Sequence, residues 1–414
     1  MGLLRCESGS WRSPPDDGPH GPGRRRAADY TPRPMRVLVN ATSARLGGGI
    51  TVMRNLLPAF VDADGGAHEY IVVAHEDSAA AMDPHHPRVH FEVAQRGESL
   101  VSRLVWEQLE LPVRSVLDRA DIVFSPGGLA VLTAPKPQVL MYQNMAPFEP
   151  RVMARVPAHE RRRFFLLREL GALSGRIARR IVFISRYAQR SILPQIGGRA
   201  LDSECIYLGR DPAFRPEAAS DPQAQALSDK LGLPARYLLS VSQFYFYKNF
   251  VELVDGFALA LPTLPSDVSL VIAGAEHQQD YAAAVRARIA RHGLGDRVRL
   301  LGAVPYEQLP MIYARAMAFL FPSTVENFPN ILVEGLASGA PTFASKLGPM
   351  PEIAGDAATY FDPYDTHDIA RAIERATNDQ ALRETLSRRG IERVKRYSWE
   401  RTARQLLRVF EEAR

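Results

Sequence analysis

From Arg36 onward, short unbroken apolar runs alternate with longer stretches in which apolar residues return every three or four positions. The runs read as strands buried on both faces and the stretches as helices packed on them. Strands are predicted at Arg36–Asn40, Glu69–Ala74, Val89–Val93, Asp121–Ser125, Gln138–Tyr142 and Ile181–Ile184. Helices are predicted at Ile50–Phe60, Leu100–Leu117, Arg161–Ala172 and Ser174–Arg180, with another from Tyr187. The alternation then pauses at Asp211–Pro216, where two prolines favour an extended linker. It resumes with strands at Tyr237–Val241, Ser269–Ala273, Val298–Leu301, Ala318–Phe321 and Thr342–Ala344. The intervening helices are Phe250–Ala260, Asp280–His292, Leu309–Arg315 and Asn330–Ser338. The final stretch, Ser398–Arg414, is amphipathic, with Trp399, Leu406, Leu407 and Phe410 on one face.

Strands alternating with helices imply parallel βαβ units. The expected fold class is therefore α/β, with two doubly wound, Rossmann-like domains in series, 35–210 and 211–397. A ligand is expected in the cleft between them, outside the carboxyl ends of the strands. Residues 1–34 carry no apolar period and are rich in Gly, Pro, Ser and Arg, so a disordered tail is expected there. Met35, directly before the first strand, is a candidate start, and the tail lacks the apolar core of a signal peptide.

Composition narrows the class. The 414 residues are 46% hydrophobic and 23% charged, an ordinary globular balance. No apolar run reaches the ~18 residues of a membrane helix. Only two cysteines occur, Cys6 and Cys205, which excludes a disulfide framework or a cysteine-based zinc site and fits a reducing cytosol. The formal charge of +5 is unevenly spread. Between Arg151 and Arg190, eleven arginines face two glutamates, a net of +9, so the remainder sums to −4. Residues 35–414 together carry a net of only +3, and that nearly neutral body argues against general nucleic-acid binding, while the basic segment points to a local anionic partner.

Three motifs could carry chemistry. Glu326-Asn-Phe-Pro-Asn-Ile-Leu-Val-Glu334 follows a strand and runs into a helix. The start of that helix, with Pro329 suited to it, offers free N–H groups and a positive dipole end to a phosphate. Two carboxylates beside an anion site suit a sugar nucleotide; a dipole-favoured helix glutamate and a solvated loop glutamate would look the same. Lys248, in Ser242-Gln-Phe-Tyr-Phe-Tyr-Lys-Asn249, also follows a strand, where a diphosphate would lie. It is one of five lysines against 46 arginines, and its point charge suits a phosphate oxygen, although an ordinary surface lysine would sit equally well there. Gly47-Gly-Gly49 opens a helix and would let backbone N–H groups approach an anion, or forms a plain tight turn. Val52 stands where a dinucleotide fingerprint needs its third Gly or Ala.

Together these motifs resemble those of the retaining, nucleotide-sugar-dependent glycosyltransferases of family four (group 1), which have the GT-B fold of two Rossmann-like domains facing across a cleft. The resemblance runs from Met35 to the end. It rests on Val241–Asn249, Ile272-Ala-Gly274, Leu301-Gly302-Ala-Val-Pro305, the Glu326/Glu334 pair, Ala337-Ser-Gly-Ala-Pro341, Pro351-Glu352, Gly355-Asp-Ala and the Tyr397-Ser-Trp399 helix. It implies that Glu334 holds the ribose hydroxyls and that Glu326 lies by the donor sugar with the backbone N–H groups of Asn327, Phe328 and Asn330. It also implies that Lys248, with Gln243 and Asn249 beside it, faces the diphosphate, that Gly48 and Gly49 approach the same diphosphate from the other domain, and that Leu301–Val304 line the base pocket. The helix 398–414 would cross back onto the first domain. There are departures from the family's pattern. Gln243 replaces an arginine, for which Arg186 is a candidate substitute. Gln143-Asn144 replace His-Asp on the acceptor side, and Asn327 and Pro329 replace glycines, the proline removing one N–H donor.

The resemblance implies hexosyl transfer from a nucleotide-diphosphate sugar to a hydroxyl of a glycan or lipid-linked acceptor, in cell-surface polysaccharide synthesis. No Asp-x-Asp stands at a strand end; Asp62-Ala-Asp64 is expected in a solvated loop, so neither a metal nor a resident cofactor is expected. Arg161-Arg-Arg163 followed by Phe164-Phe-Leu-Leu167 suggests docking of 151–190 on an anionic membrane, with an Arg-rich solvated face as the plainer reading. The expected location is cytoplasmic, peripheral on the inner membrane face. The competing readings are a non-enzymatic two-lobed nucleotide- or sugar-binding protein and an NAD-dependent oxidoreductase with Glu76 as ribose binder.

Overall fold

The structure, a computed structural model, describes residues 33–45, 47–94 and 99–414. The tail expected at 1–34 and Cys6 fall almost wholly outside the described residues. Seven parallel strands form the first sheet: β1 (Arg36–Asn40), β2 (Glu69–Ala74), β3 (Val89–Val93), β4 (Ile122–Ser125), β5 (Gln138–Tyr142), β6 (Arg180–Phe183) and β7 (Ser203–Cys205). Six form the second: β8 (Arg236–Val241), β9 (Val268–Ala273), β10 (Val298–Gly302), β11 (Ala318–Phe321), β12 (Thr342–Ser345) and β13 (Ala358–Phe361).

The sheet orders are β3-β2-β1-β4-β5-β6-β7 and β10-β9-β8-β11-β12-β13. In both, the first strand in sequence lies centrally and the winding reverses beside it. Val39 aligns with Val72 of β2 and Phe124 of β4, and Leu239 with Val271 of β9 and Phe319 of β11. Helices cover both faces of each sheet, so Val37, Leu38 and Val39 are all fully buried, as are Leu238 and Leu239. The reversals open crevices at the carboxyl ends of β1/β4 and β8/β11, and these crevices face each other.

The chain crosses between the lobes twice. The first crossing ends at Asp211–Pro216, which is less free than a linker: Phe214 is buried against Tyr306 and Tyr313, with ring centroids 5.4 and 5.7 Å away. The second leads into the helix Trp399–Ala413, which lies on the helix Gly48–Asp64 of the first lobe. Its Phe410 packs on Phe60 and Phe124, and Arg414 pairs with Asp121 at 3.0 Å. The crossings touch at Gly209, where a Cβ would fall 2.2 Å from the Trp399 nitrogen.

Two expectations need correction. Asp62 and Asp64 belong to the last turn of the helix Gly48–Asp64, not to a loop, and Asp64 is buried, accepting from the Tyr70 hydroxyl at 2.6 Å. The expected break at Leu173 does not occur: Arg161–Ile177 is one helix. Its Gly171 and Gly175 serve close packing instead, against Phe148 and against Tyr142 and Ile196. The sheet edges β7 and β13, four residues or fewer each, carry too little periodicity to be read.

Candidate active site

A cavity of about 820 Å³ lies between the lobes, at the carboxyl ends of both sheets. From the first lobe it takes the glycine turn after β1, Gly127–Leu129 after β4 and Gln143–Phe148 after β5. From the second it takes Ser242–Lys248 in part, Ala273–Ala275, Ala303–Val304 and the segment from Val325 into the helix Asn330–Ala337.

The floor of the second lobe is built from two loops tied together. Thr324 donates its backbone N–H and its hydroxyl to the Tyr247 carbonyl, at 2.8 and 3.0 Å. This brings Lys248, on the single turn Phe246–Lys248 after β8, against Glu326, in the loop after β11. Lys248 Nζ donates to Glu326 Oε1 at 2.5 Å, and both side chains are largely buried. The ammonium also lies 5.4 Å from the Tyr247 ring centroid, a favourable cation–π position.

Glu334 sits one turn into the helix Asn330–Ala337 and is buried on the cavity wall. The Tyr306 hydroxyl donates to its Oε1 at 3.2 Å. Burial pushes the Glu334 carboxyl up to about 7, against the hydrogen bond from Tyr306, and the nearby Asp211 carboxylate adds to the rise. From the first lobe Arg54 reaches over the Tyr306 ring at 5.7 Å and pairs with Glu307 at 3.7 Å.

The helix start between the two glutamates carries no side-chain cap, so its positive dipole end faces the cleft uncovered by a side chain. Asn330 donates its N–H to the Phe328 carbonyl at 2.9 Å, and Leu332 and Val333 donate theirs to the Pro329 carbonyl at 2.9 and 3.1 Å, which leaves the Ile331 N–H as the one turned to the cleft. Asn327 spans the cleft, donating from Nδ2 to the Tyr142 carbonyl at 2.8 Å, while its buried Oδ1 has no partner. Ser242 Oγ, also on the cavity wall, is likewise buried without a partner. Two orphaned polar atoms beside an uncapped helix start mark a site shaped for a polar ligand.

Opposite this floor stands the glycine turn. Gly47 has φ +59°, and a Cβ there would lie 3.1 Å from Gln243 Nε2. A Cβ on Gly48 would lie 4.0 Å from Asn330 Nδ2. The turn thus faces the very residues expected to hold the diphosphate. Gly49 is closed in by Ala44 on its own lobe.

Of the sequence-derived residues, the cavity brings together Gly48, Gly49, Gln143, Asn144, Gln243, Lys248, Val304, Glu326, Asn327, Phe328, Asn330 and Glu334. Three lie elsewhere. Asn249 is buried at φ +62° and donates to the Pro363 carbonyl at 2.6 Å, so it shapes the backbone after Lys248. Pro329 forms the N-cap of the helix behind the wall. Arg186 does not line the cleft; Glu352 of the second lobe accepts from its N–H at 2.7 Å, from the Tyr187 N–H at 2.9 Å and from the Tyr207 hydroxyl at 2.8 Å. A carboxylate of the protein itself therefore sits at the backbone of Arg186, the arginine expected to replace the missing phosphate charge at Gln243. Leu301 and Gly302 likewise leave the base-pocket wall to Ala303 and Val304.

Other lining groups escaped the sequence reading. Tyr245 stacks on Tyr247 and on His277, with centroids 5.3 and 5.8 Å apart. This aromatic shelf stands near Arg163 and below a bridge between the lobes, in which Gln278 donates to Glu160 at 3.1 Å. The Tyr-x-Tyr spacing next to Lys248 was its only trace in the sequence. Beneath the glycine turn, buried Glu107 accepts from the Thr42 hydroxyl and pairs with Arg103 at 3.2 Å; burial raises its carboxyl and Arg103 opposes the rise. Neither partner is close in sequence to Thr42.

Comparison with known proteins accords with this geometry. Residues 225–393 match the family described as glycosyl transferases group 1. The O-antigen chain mannosyltransferase B of Escherichia coli is 35% identical over 113 residues, 27% of this chain and 30% of that protein. The mannosylfructose-phosphate synthase of Agrobacterium fabrum is 27% identical over 208 residues, 49% of this chain and 45% of that protein. The chain thus matches less than half the length of these curated relatives. Among solved structures, sucrose-phosphate synthase from Thermosynechococcus elongatus superposes with a TM-score of 0.74 at 19% identity, over 91% of this chain and 98% of that one. Anabaena HepE, solved with UDP and glucose, superposes with a TM-score of 0.71 at 20% identity, over 90% and 98%. The fold is that of GT-B proteins, and residues 225–393 are similar to the group 1 glycosyl transferases.

Proposed function

We propose that the protein transfers a hexosyl group, with retention, from a nucleotide-diphosphate sugar to a hydroxyl of a glycan or lipid-linked acceptor, in the synthesis of a cell-surface polysaccharide. The observation that carries this reading is the pairing of Lys248 with Glu326 at 2.5 Å beside an uncapped helix start, with buried Glu334 on the same wall. In this reading the diphosphate lies between Lys248, the helix start and the glycine turn. Glu334 accepts from the ribose hydroxyls, Val304 and Ala303 flank the base, and the sugar reaches Glu326 and Asn327. The acceptor enters past Gln143, Asn144 and the Tyr245–Tyr247 shelf.

As the anomeric C–O bond breaks, its electron pair passes to the β-phosphate oxygen. Lys248 and the N–H dipoles stabilise that charge through fixed electrostatics. The acceptor hydroxyl attacks the same face, and its proton goes to the departing phosphate. Leaving-group charge is thus assigned to protein groups rather than to a metal ion. The mannosyltransferase names of several relatives support a hexosyl donor and a polysaccharide product.

The test is product formation. Purified protein is mixed with a panel of nucleotide sugars, a hydroxylated acceptor and a metal chelator. Nucleoside diphosphate release that depends on acceptor, survives chelation and yields the donor's anomeric configuration supports the reading. Stabilisation by NAD(P) alone, or binding of nucleotide sugars without turnover, overturns it.

A further inference from the structure

The helix Leu100–Leu117 turns the wrong side outward for a soluble lobe. Its inner face holds Glu107, Leu111 and Ser115. Its outer face presents Val101, Val105, Leu109, Val113, Val116 and Leu117, each between 53% and 74% exposed. These positions recur at the three- and four-residue spacing of one helical stripe. A stripe this long on the outside marks an interaction surface, unlike scattered single apolar residues.

Beside it runs the helix Arg161–Ile177, the core of the basic segment. Phe165, Leu166, Leu173 and Ile177 are exposed on it, among exposed Arg161, Arg162, Arg163 and Arg176. Between the two helices lies an apolar groove of about 330 Å³, walled by Leu104, Val105 and Leu109 on one side and Leu170 on the other, with Leu129 and Leu132 below. Leu129 also lines the main cleft, so the groove adjoins the first-lobe end of the candidate active site across that one side chain.

A second copy of the chain is a poor occupant. A two-fold interface through this face would set one segment of net charge +9 against another. An anionic bilayer matches both properties at once, since arginines meet headgroups while apolar side chains enter the acyl boundary. The helix Leu100–Leu117 carries Arg103, Glu107, Glu110 and Arg114 and cannot cross a bilayer, and no helix among the described residues is long and apolar enough to do so. It can lie in the interface plane.

We propose that these two helices form a bilayer-docking face, with acyl chains of an anionic membrane entering the groove between them. Docked in this way, the lobe sets the acceptor end of the cleft at the lipid surface. Only that last consequence rests on the glycosyl-transfer reading. The sequence points to Arg151–Arg190 alone; the stripe on Leu100–Leu117 supplies most of the apolar contact.

The experiment is vesicle co-sedimentation of the full chain, with phosphatidylcholine alone and with added phosphatidylglycerol. Binding that requires phosphatidylglycerol is expected, with Trp106 fluorescence quenched by brominated lipid and the quenching lost in Trp106→Phe. The pair Val105→Glu and Leu109→Glu should weaken binding at least tenfold, and Arg162→Glu with Arg176→Glu should do likewise, at about 1 kcal/mol per basic residue. All four sites are on the surface, so thermal unfolding and nucleotide-sugar binding should match the parent. Absence of anionic-vesicle binding, unchanged binding by the Val105/Leu109 pair, or a stable dimer that Leu109→Glu dissociates would overturn the proposal. Stabilisation by a nucleotide sugar without vesicle binding would leave the catalytic reading standing and remove only this one.

Discussion

Lys248 and Glu326 are 78 residues apart in sequence and 2.5 Å apart in the structure, joined on the floor of the cleft. An ammonium and a carboxylate so placed neutralise each other while no ligand is present. In the proposed reaction, a diphosphate entering the cleft would compete with Glu326 for the ammonium and so free the carboxylate toward the sugar. Under that proposal, arrival of the phosphate and readiness of the carboxylate would be one event.

Lys248→Met is expected to lower turnover by about 10²–10³-fold, the usual cost of removing one preorganised charge from a developing anion. It also leaves Glu326 without its cation. Glu326→Gln should lower kcat more than donor affinity. Steady-state kinetics on both variants and on the double variant check this. If the pair acts as a unit, the double variant is no worse than the more severe single one.

Glu334 titrates near neutrality. Its carboxyl is raised from 4.5 to about 7 by burial, so between these values the folded state holds a proton that the unfolded state has lost. Stability of the ligand-free protein therefore falls as pH rises from about 4.5 to about 7 and levels off above, as far as this group contributes. Glu334→Gln should remove that slope in chemical-denaturation series. Ribose hydroxyls favour the ionised acceptor, so donor KM should rise as pH drops below about 7 in the parent, and Glu334→Gln should be flat.

Gly47→Ala tests the approach of the glycine turn. The backbone is at φ +59°, and the added methyl would press on Gln243 Nε2 at 3.1 Å. With ψ at −133° this positive-φ backbone is one that side chains avoid, so a cost of about 1–3 kcal/mol is expected, seen as a lower melting temperature. Donor KM should rise about tenfold if the closed cleft is the productive one.

Glu352 holds the lobes together from outside the site. Its removal in Glu352→Ala strands two N–H groups and the Tyr207 hydroxyl, which now donate to it. A loss of about 2–3 kcal/mol is expected in urea unfolding, from lost acceptors in a partly buried place. Solution scattering should report a larger radius of gyration for this variant.

Much of the frame could be read from the chain because parallel strands buried on both faces leave unbroken apolar runs. Val37–Val39 and Ala318–Phe321 are such runs, and each leads to the cleft. The carboxylate loop and Lys248 were readable for a related reason, since each directly follows a strand and so lands at the carboxyl edge. Arg186 also follows a strand and landed there, but Glu352 from the other lobe claims its helix start. That contact is 166 residues distant, and no local pattern encodes it. The aromatic shelf and the Glu107 network were hidden similarly, being made of residues that only tertiary packing brings together. The apolar stripe on Leu100–Leu117 was hidden because amphipathicity reports two faces without saying which one is covered.

The touching crossings at Gly209 and Ser398–Trp399 limit how the cleft can open. One connecting strand would act as a swivel, free to twist the lobes out of register. Two in contact act as a door hinge, permitting rotation about a single axis. Residues on opposite rims, such as Gly47 and Gln243, are then returned to the same partners at each cycle, without guidance from the ligand.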